Sequence, residues 1–251
     1  MLDVTIKNLL LKQQNDYTTV LKDISFSLPA NNIYTIVGKN GSGKSTLIKS
    51  LTGLLDKRFY NLEGEILFNS KNILYLNKIE LLEIRRKKIK YVFQDAVNSF
   101  DHLKKIGYYF EKLVNNSKET EKLLKFFLLP EPSKLFKLFP YEVSGGMAQR
   151  ISLVLAMLTY PEIIILDEPT SGIDSPIAGL ILLKLKEFVS FNNNSVLLVT
   201  QDLKFAGKIS NKISFLKDSC LSEFLPVSEF FNNEINENLD SFLKSYFEIS
   251  K

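Results

Sequence analysis

The run Gly38-Lys39-Asn40-Gly41-Ser42-Gly43-Lys44-Ser45-Thr46 constrains this chain more than any other feature. It fits G-x-x-x-x-G-K-[ST], and its context matches the pattern: an apolar run, Ile33–Val37, precedes it and a helix over Ser45–Leu55, ending near Gly53, follows. Glycines let the backbone turn so that successive N–H groups point into one concavity. The helix after the loop adds its positive end, so the concavity suits a polyphosphate. In such a loop Gly38, Asn40, Gly41, Gly43 and Thr46 shape the phosphate cradle. Lys44 bridges the β- and γ-phosphates, and the Ser45 hydroxyl binds Mg²⁺. A loop of this kind marks a nucleoside-triphosphate binder and leaves open which kind.

A second constraint lies downstream. Ile163–Leu166 and Val196–Val199 are continuous apolar runs bounded by turn residues, as expected of strands buried on both faces of a parallel sheet. Ile177–Ser190 between them reads as a helix, which gives a strand–helix–strand crossover. The first run ends in Asp167-Glu168, and ligands of open α/β sheets bind at strand ends. Asp167 is placed to bind Mg²⁺, and Glu168 to polarise an attacking water as general base. The alternative is an acidic pair capping the next helix. Earlier in the chain, Leu2–Leu9, Asp23–Leu28 and Gly64–Phe68 read as strands, whereas Ser99–Pro140 has helical periodicity and no strand candidate. The last thirty or so residues, with Phe230, Phe231, Leu239, Phe242, Leu243 and Phe247, read as amphipathic helices.

Composition narrows the function classes. The 251 residues are 45% hydrophobic with a net charge of +4, and no apolar run approaches the roughly 20 residues that cross a bilayer. No basic stripe with interleaved aromatics is present, which argues against nucleic acid as a partner. Arg85-Arg86-Lys87-Lys88 is read either as a solvated helix face or as a contact for anionic lipid or a partner. The single cysteine, Cys220, forbids an internal disulfide and fits a reducing cytosol, and the first residues lack the features of a signal peptide. The single histidine, His102, has no ligand cluster around it in sequence.

Val143-Ser144-Gly145-Gly146-Met147-Ala148-Gln149-Arg150, standing before the Asp167-Glu168 strand, resembles the LSGGQ signature of ABC (ATP-binding-cassette) transporter ATPases. The resemblance runs over nearly the whole chain. It implies an α/β fold: a P-loop NTPase (RecA-like) core of ABC ATPase type, with an antiparallel β subdomain and an inserted α-helical subdomain. The implied division is 1–94 for the β subdomain and the first part of the core, 95–143 for the helical subdomain, 144–220 for the signature helix and the second part of the core, and 221–251 for a helical tail. It implies ATP and Mg²⁺ as cofactors. It implies that Ser144, Gly145 and Gly146 face the γ-phosphate held by an opposite subunit. Tyr17 stands where the family places an aromatic under the adenine. Gln94 resembles the Q-loop residue that contacts Mg²⁺ and water, and Asp174 resembles the D-loop acid that couples the two sites. Tyr17 as an exposed strand residue and Asp174 as a helix cap are the plainer alternatives.

One position departs from the pattern. Thr200-Gln201-Asp202 stands where the family has a switch histidine that contacts the γ-phosphate, and Gln201 can donate a hydrogen bond but carries no proton charge. A slow site built on Lys44, paired with an active partner, is therefore the alternative to an ordinary ATPase. Phe93-Gln94-Asp95-Ala96-Val97-Asn98-Ser99-Phe100-Asp101 and Pro140-Tyr141-Glu142-Val143-Ser144-Gly145-Gly146-Met147 are similar to the oligopeptide, dipeptide and nickel importer branch, although Ala96 and His102 replace its usual prolines. The lack of a long extension rich in Cys and Pro brings the chain closer to nickel or metal-chelate importers. That branch implies a heterodimer of two different ATPases at the cytoplasmic face of the membrane. Two membrane-spanning permease subunits and an extracytoplasmic substrate-binding protein complete it. A soluble two-cassette or coiled-coil ABC protein is disfavoured by the absence of an internal repeat or a long heptad run. An exporter ATPase stays open.

Overall fold

A computed structural model describes residues 1–13, 16–113, 117–191 and 193–232. In chain order its elements are β1 (Leu2–Gln13), β2 (Asp16–Leu28), β3 (Ile33–Val37), α1 (Lys44–Ser50), β4 (Tyr60–Phe68) and β5 (Lys71–Asn72). Then come α2 (Lys78–Lys87), β6 (Ile89–Val92), α3 (Ile106–Leu113), α4 (Ser117–Phe126), α5 (Pro132–Leu135), α6 (Gly145–Met157) and β7 (Ile163–Asp167). The remainder is α7 (Ser175–Ser190), β8 (Ser195–Thr200), α8 (Leu203–Ile209), β9 (Lys212–Lys217), β10 (Cys220–Leu221), β11 (Leu225–Pro226) and α9 (Val227–Asn232). The described residues fall into two compact units: Met1–Leu76 with the described chain from Val199, and Asn77–Leu198.

In the first unit an antiparallel sheet runs in the order β2-β1-β4-β5. Strict alternation in β1 turns Leu2, Val4 and Ile6 inward, and Leu9 follows after a shift in register. That shift requires Gly64 of β4: its φ is +145°, and a Cβ there would lie 2.1 Å from the Thr5 carbonyl oxygen. Both β1 and β2 run further than their apolar patterns predict, because Leu10–Gln13 and Asp16–Thr19 pair with each other in the exposed end of the hairpin. β3 pairs in parallel with β9, and β10 and β11 extend β9 antiparallel. Val37, Leu203, Ala206, Ile213, Phe215 and Phe230 close a core under this layer, with Phe231 packed on its rim. Residues 220–226 therefore open the expected helical tail with strand segments. Leu239, Phe242, Leu243 and Phe247 lie outside the described residues.

The second unit holds β6 and β7 in parallel, with β8 on the far side of β7. Every residue of β7 and β8 is buried, as apolar runs this long require. Burying each of Ile163, Ile164 and Ile165 contributes about 1.5–3 kcal/mol. Between β6 and β7 the described residues form helices and no strand. α3 and α5 meet closely, with the Ile106 and Gly107 amides donating to the Leu138 and Phe136 carbonyls at 2.8 and 3.2 Å. α2 opens with a capping box between Asn77 and Glu80 and buries none of its residues, and Arg86, Lys87 and Lys88 are exposed. His102 is exposed, near the carboxylate of Asp95.

Candidate functional site

In the first unit, β3 is buried throughout and ends at Gly38, which is also buried. A Cβ at Gly38 would meet the Leu216 carbonyl oxygen at 2.6 Å and Ser42 Oγ at 2.9 Å, so only glycine lets the loop fold this tightly. Gly41 and Gly43 take φ +79° and +100°, which curls the loop back toward α1. Inside the curl lies Lys44, 5% exposed, its Nζ donating to the carbonyls of Gly38 at 2.9 Å and Lys39 at 3.0 Å. A buried ammonium costs heavily unless oxygens surround it, and here the loop backbone supplies them. Ser42 Oγ is buried and has no hydrogen-bond partner among the described residues. Asn40 and Gly41 are exposed; Ser45 and Thr46 are half-buried at the start of α1. α1 is shorter than predicted, because a Schellman-type closure (Leu54 N–H to Lys49 O and Gly53 N–H to Ser50 O, both 3.0 Å) stops it before Gly53. Gly43 lies against Val20 and Leu21 of β2, and Tyr17 stands upstream on that strand, opposite Lys12 and 53% exposed. After β8, Gln201 is exposed. The next residue, Asp202, caps α8 by accepting from the Phe205 amide at 2.9 Å.

In the second unit, β7 delivers Asp167 and Glu168 at 3% and 8% exposure. Glu168 has φ +46°, a left-handed conformation that costs a non-glycine residue about 1 kcal/mol, and the turn Ser171 N–H to Glu168 O holds it there. Tyr91 of β6 donates its hydroxyl to Asp167 Oδ2 at 2.8 Å. Burial, then the Asp167 charge, pushes the Tyr91 phenol far above its usual range, so it stays a donor. Gln94, three residues on, is exposed. Ser144 caps α6, its Oγ accepting from the Met147 amide at 3.2 Å, and Gly145 and Gly146 open the helix. A Cβ at Gly145 would meet nothing within 4 Å, and one at Gly146 would meet only Ile173 Cγ1 at 3.9 Å. Arg150 donates to Gly146 O at 3.0 Å and to Phe127 O at 2.7 Å, which ties the serine–glycine turn to the chain just after α4. Burial lowers the Arg150 pKa, and the charge of Asp174 acts against that shift. Asp174 caps α7 by accepting from the Ile177 amide at 3.0 Å.

Within this unit Tyr91 meets Asp167, and Ile173 and Asp174 stand close to the signature turn. Tyr91 and Arg150 were missed as candidates. Arg150 is legible as the i+4 neighbour of Gly146 on a helix; Tyr91 is not, because its contact depends on strand register. The hydroxyl of Ser45 in the first unit, and the carboxylate of Asp167 and the amide of Gln94 in the second, are each hard oxygen donors of the kind that suits Mg²⁺.

A buried lysine inside a glycine loop and a strand ending in paired carboxylates define a P-loop nucleotide-binding protein. The family model for ABC transporters matches residues 21–171, and the chain belongs to the ABC transporter family as an ATPase cassette. It is 30% identical over 240 residues to the oligopeptide transport ATP-binding protein OppD of Haemophilus influenzae, covering 92% of this chain and 74% of that one. It is 33% identical to OppD of Escherichia coli, covering 78% of this chain and 60% of that one. To the dipeptide transport ATP-binding protein DppD of Lactococcus lactis it is 32% identical, covering 85% of this chain and 64% of the relative. A dimeric post-hydrolysis structure of the ATP-binding cassette MJ0796, bound to ADP and phosphate, superposes with a TM-score of 0.77 at 26% identity, over 90% of this chain and 99% of that one. Among the described residues no helix is long and apolar enough to cross a membrane.

Proposed function

We propose that this chain binds and hydrolyses Mg·ATP to drive peptide import through a membrane complex. The observation that carries the reading is Lys44, buried in its loop and held by two backbone carbonyls that phosphate oxygens can replace as its partners. In this reading Gly38, Asn40, Gly41, Gly43 and Thr46 shape the cradle, Lys44 takes the β- and γ-phosphates, and Tyr17 packs on the adenine. Ser45, Asp167 and Gln94 hold Mg²⁺, which screens the phosphate charge. Glu168 draws the proton from the attacking water. Ser144, Gly145 and Gly146, at the N-terminus of α6, complete the site of an opposing ATPase subunit, with Asp174 beside that interface. The helical segment 95–143 moves with Gln94 against two membrane-spanning permease subunits at the cytoplasmic face, and an extracytoplasmic binding protein supplies cargo. The names of the relatives favour peptides over nickel or metal chelates.

Gln201 favours a second reading, in which this chain pairs with a different ATPase and its own site turns over slowly. An amide there can hydrogen-bond to phosphate but cannot share a proton with it. Binding of a fluorescent ATP analogue with and without Mg²⁺, in wild type and Lys44→Ala, tests the first reading. We expect Mg²⁺-dependent binding that the substitution weakens about 100-fold or more; unchanged binding sinks it.

A further inference from the structure

We propose that Tyr91 is a positioning residue for the Asp167 carboxylate, fixing its orientation toward the magnesium ion. The inference rests on the nucleotide reading above and concerns a residue outside the loop, signature and carboxylate motifs. β6 and β7 pair in parallel with Tyr91 opposite Ile165, so the tyrosine ring spans the distance to the end of β7 and its hydroxyl reaches Asp167 Oδ2 at 2.8 Å. Its ring packs on Phe93 at 4.5 Å, which restrains it from the side. Asp167 is nearly fully buried, so the direction of its carboxylate is set by its neighbours and not by solvent. The same strand leads into Gln94 three residues later, so one segment orients one proposed magnesium contact and carries another. Outer hydrogen bonds of this kind set the basicity and angle of metal ligands, and losing one typically lowers metal affinity about 10–100-fold.

The test is Tyr91→Phe in the full chain, which removes the hydroxyl and keeps the ring on Phe93. Binding of a fluorescent ATP analogue is measured in EDTA and then across a Mg²⁺ titration, with Asp167→Asn alongside. We expect affinity in EDTA within about twofold of wild type and a Mg²⁺ requirement raised about tenfold or more. The Mg²⁺-induced rise in melting temperature of the ATP-saturated protein should shrink in parallel, a readout that holds even if the variant is less stable overall. A tyrosine that merely ties β6 to β7 would lower the melting temperature equally with and without Mg²⁺. That result, or a wild-type Mg²⁺ titration in Tyr91→Phe while Asp167→Asn is impaired, overturns the proposal. Failure of wild type to bind ATP with Mg²⁺ overturns the nucleotide reading itself, and the two failures are thus distinct.

Discussion

β7 and β8 are both fully buried strands that end in polar residues, yet they deliver them differently. β7 carries Asp167 and Glu168 to its end still buried, one held by Tyr91 and the other in a left-handed turn. β8 ends in Thr200, whose hydroxyl accepts from the Asp202 amide at 3.0 Å; Gln201 is exposed and Asp202 caps α8. The first strand end maintains backbone strain and buried carboxyl groups, features that concentrate at functional sites. The second is built as an ordinary helix start. The difference favours a reading in which the proposed catalytic weight lies on β7.

The largest effect should come from breaking the β7 end. Glu168→Gln keeps the shape and the backbone turn and removes the base. Turnover should fall by about 10²–10⁴, with ATP affinity retained, in a phosphate-release assay of the assembled complex. A loss under tenfold would mean that Glu168 is not the base and that the contrast between the strand ends is structural only.

The β8 end gives a smaller and opposite effect. Gln201→His restores a side chain that can carry a proton near neutral pH. Turnover at the Lys44 site should rise about tenfold, since a side chain that can share a proton in the transition state is worth at least that much. No gain would count against the slow-site reading and leave glutamine as an adequate substitute.

How much of this was legible before the fold was known follows from how local each feature is. The phosphate loop could be read outright, because its conformation depends on glycines a few residues apart. β3, β7 and β8 were equally plain, being unbroken apolar runs bounded by turns. β9 was missed because its buried pattern is interrupted by Ser214, which is fully buried with its hydroxyl donating to the Ser222 carbonyl at 2.7 Å. A polar residue satisfied by a distant partner looks like a loop in sequence. The same holds for Tyr91: nothing in the order of residues says that a phenol in one strand meets a carboxylate at the end of another. The stop near Gly53 was legible from the glycine itself, but Leu51, Leu54 and Leu55 continue the helical pattern and hid that the regular turns end at Ser50. The role proposed for Gln201 rests only on a departure from a family pattern.

The smallest predicted effect sharpens the contrast most. Asp174 and Asp202 are both helix caps, each accepting one backbone amide three residues on, at 3.0 and 2.9 Å. On capping alone, Asp174→Ala and Asp202→Ala should each cost about 1 kcal/mol, a fall of roughly 2–4 °C in melting temperature. Their surroundings differ. Asp174 follows Ile173, which borders Gly146, and its charge favours the ionised form of Arg150, whose guanidinium holds the signature turn. Asp202 caps a helix whose apolar residues pack into the core of the first unit. Asp174→Ala should therefore lower turnover several-fold beyond its stability cost, whereas Asp202→Ala should leave turnover within about twofold once both proteins are compared at equal distance below their melting points. Equal losses of turnover in the two variants would place the β8 end within the catalytic machinery after all, and the asymmetry between the strands would then lie in burial alone.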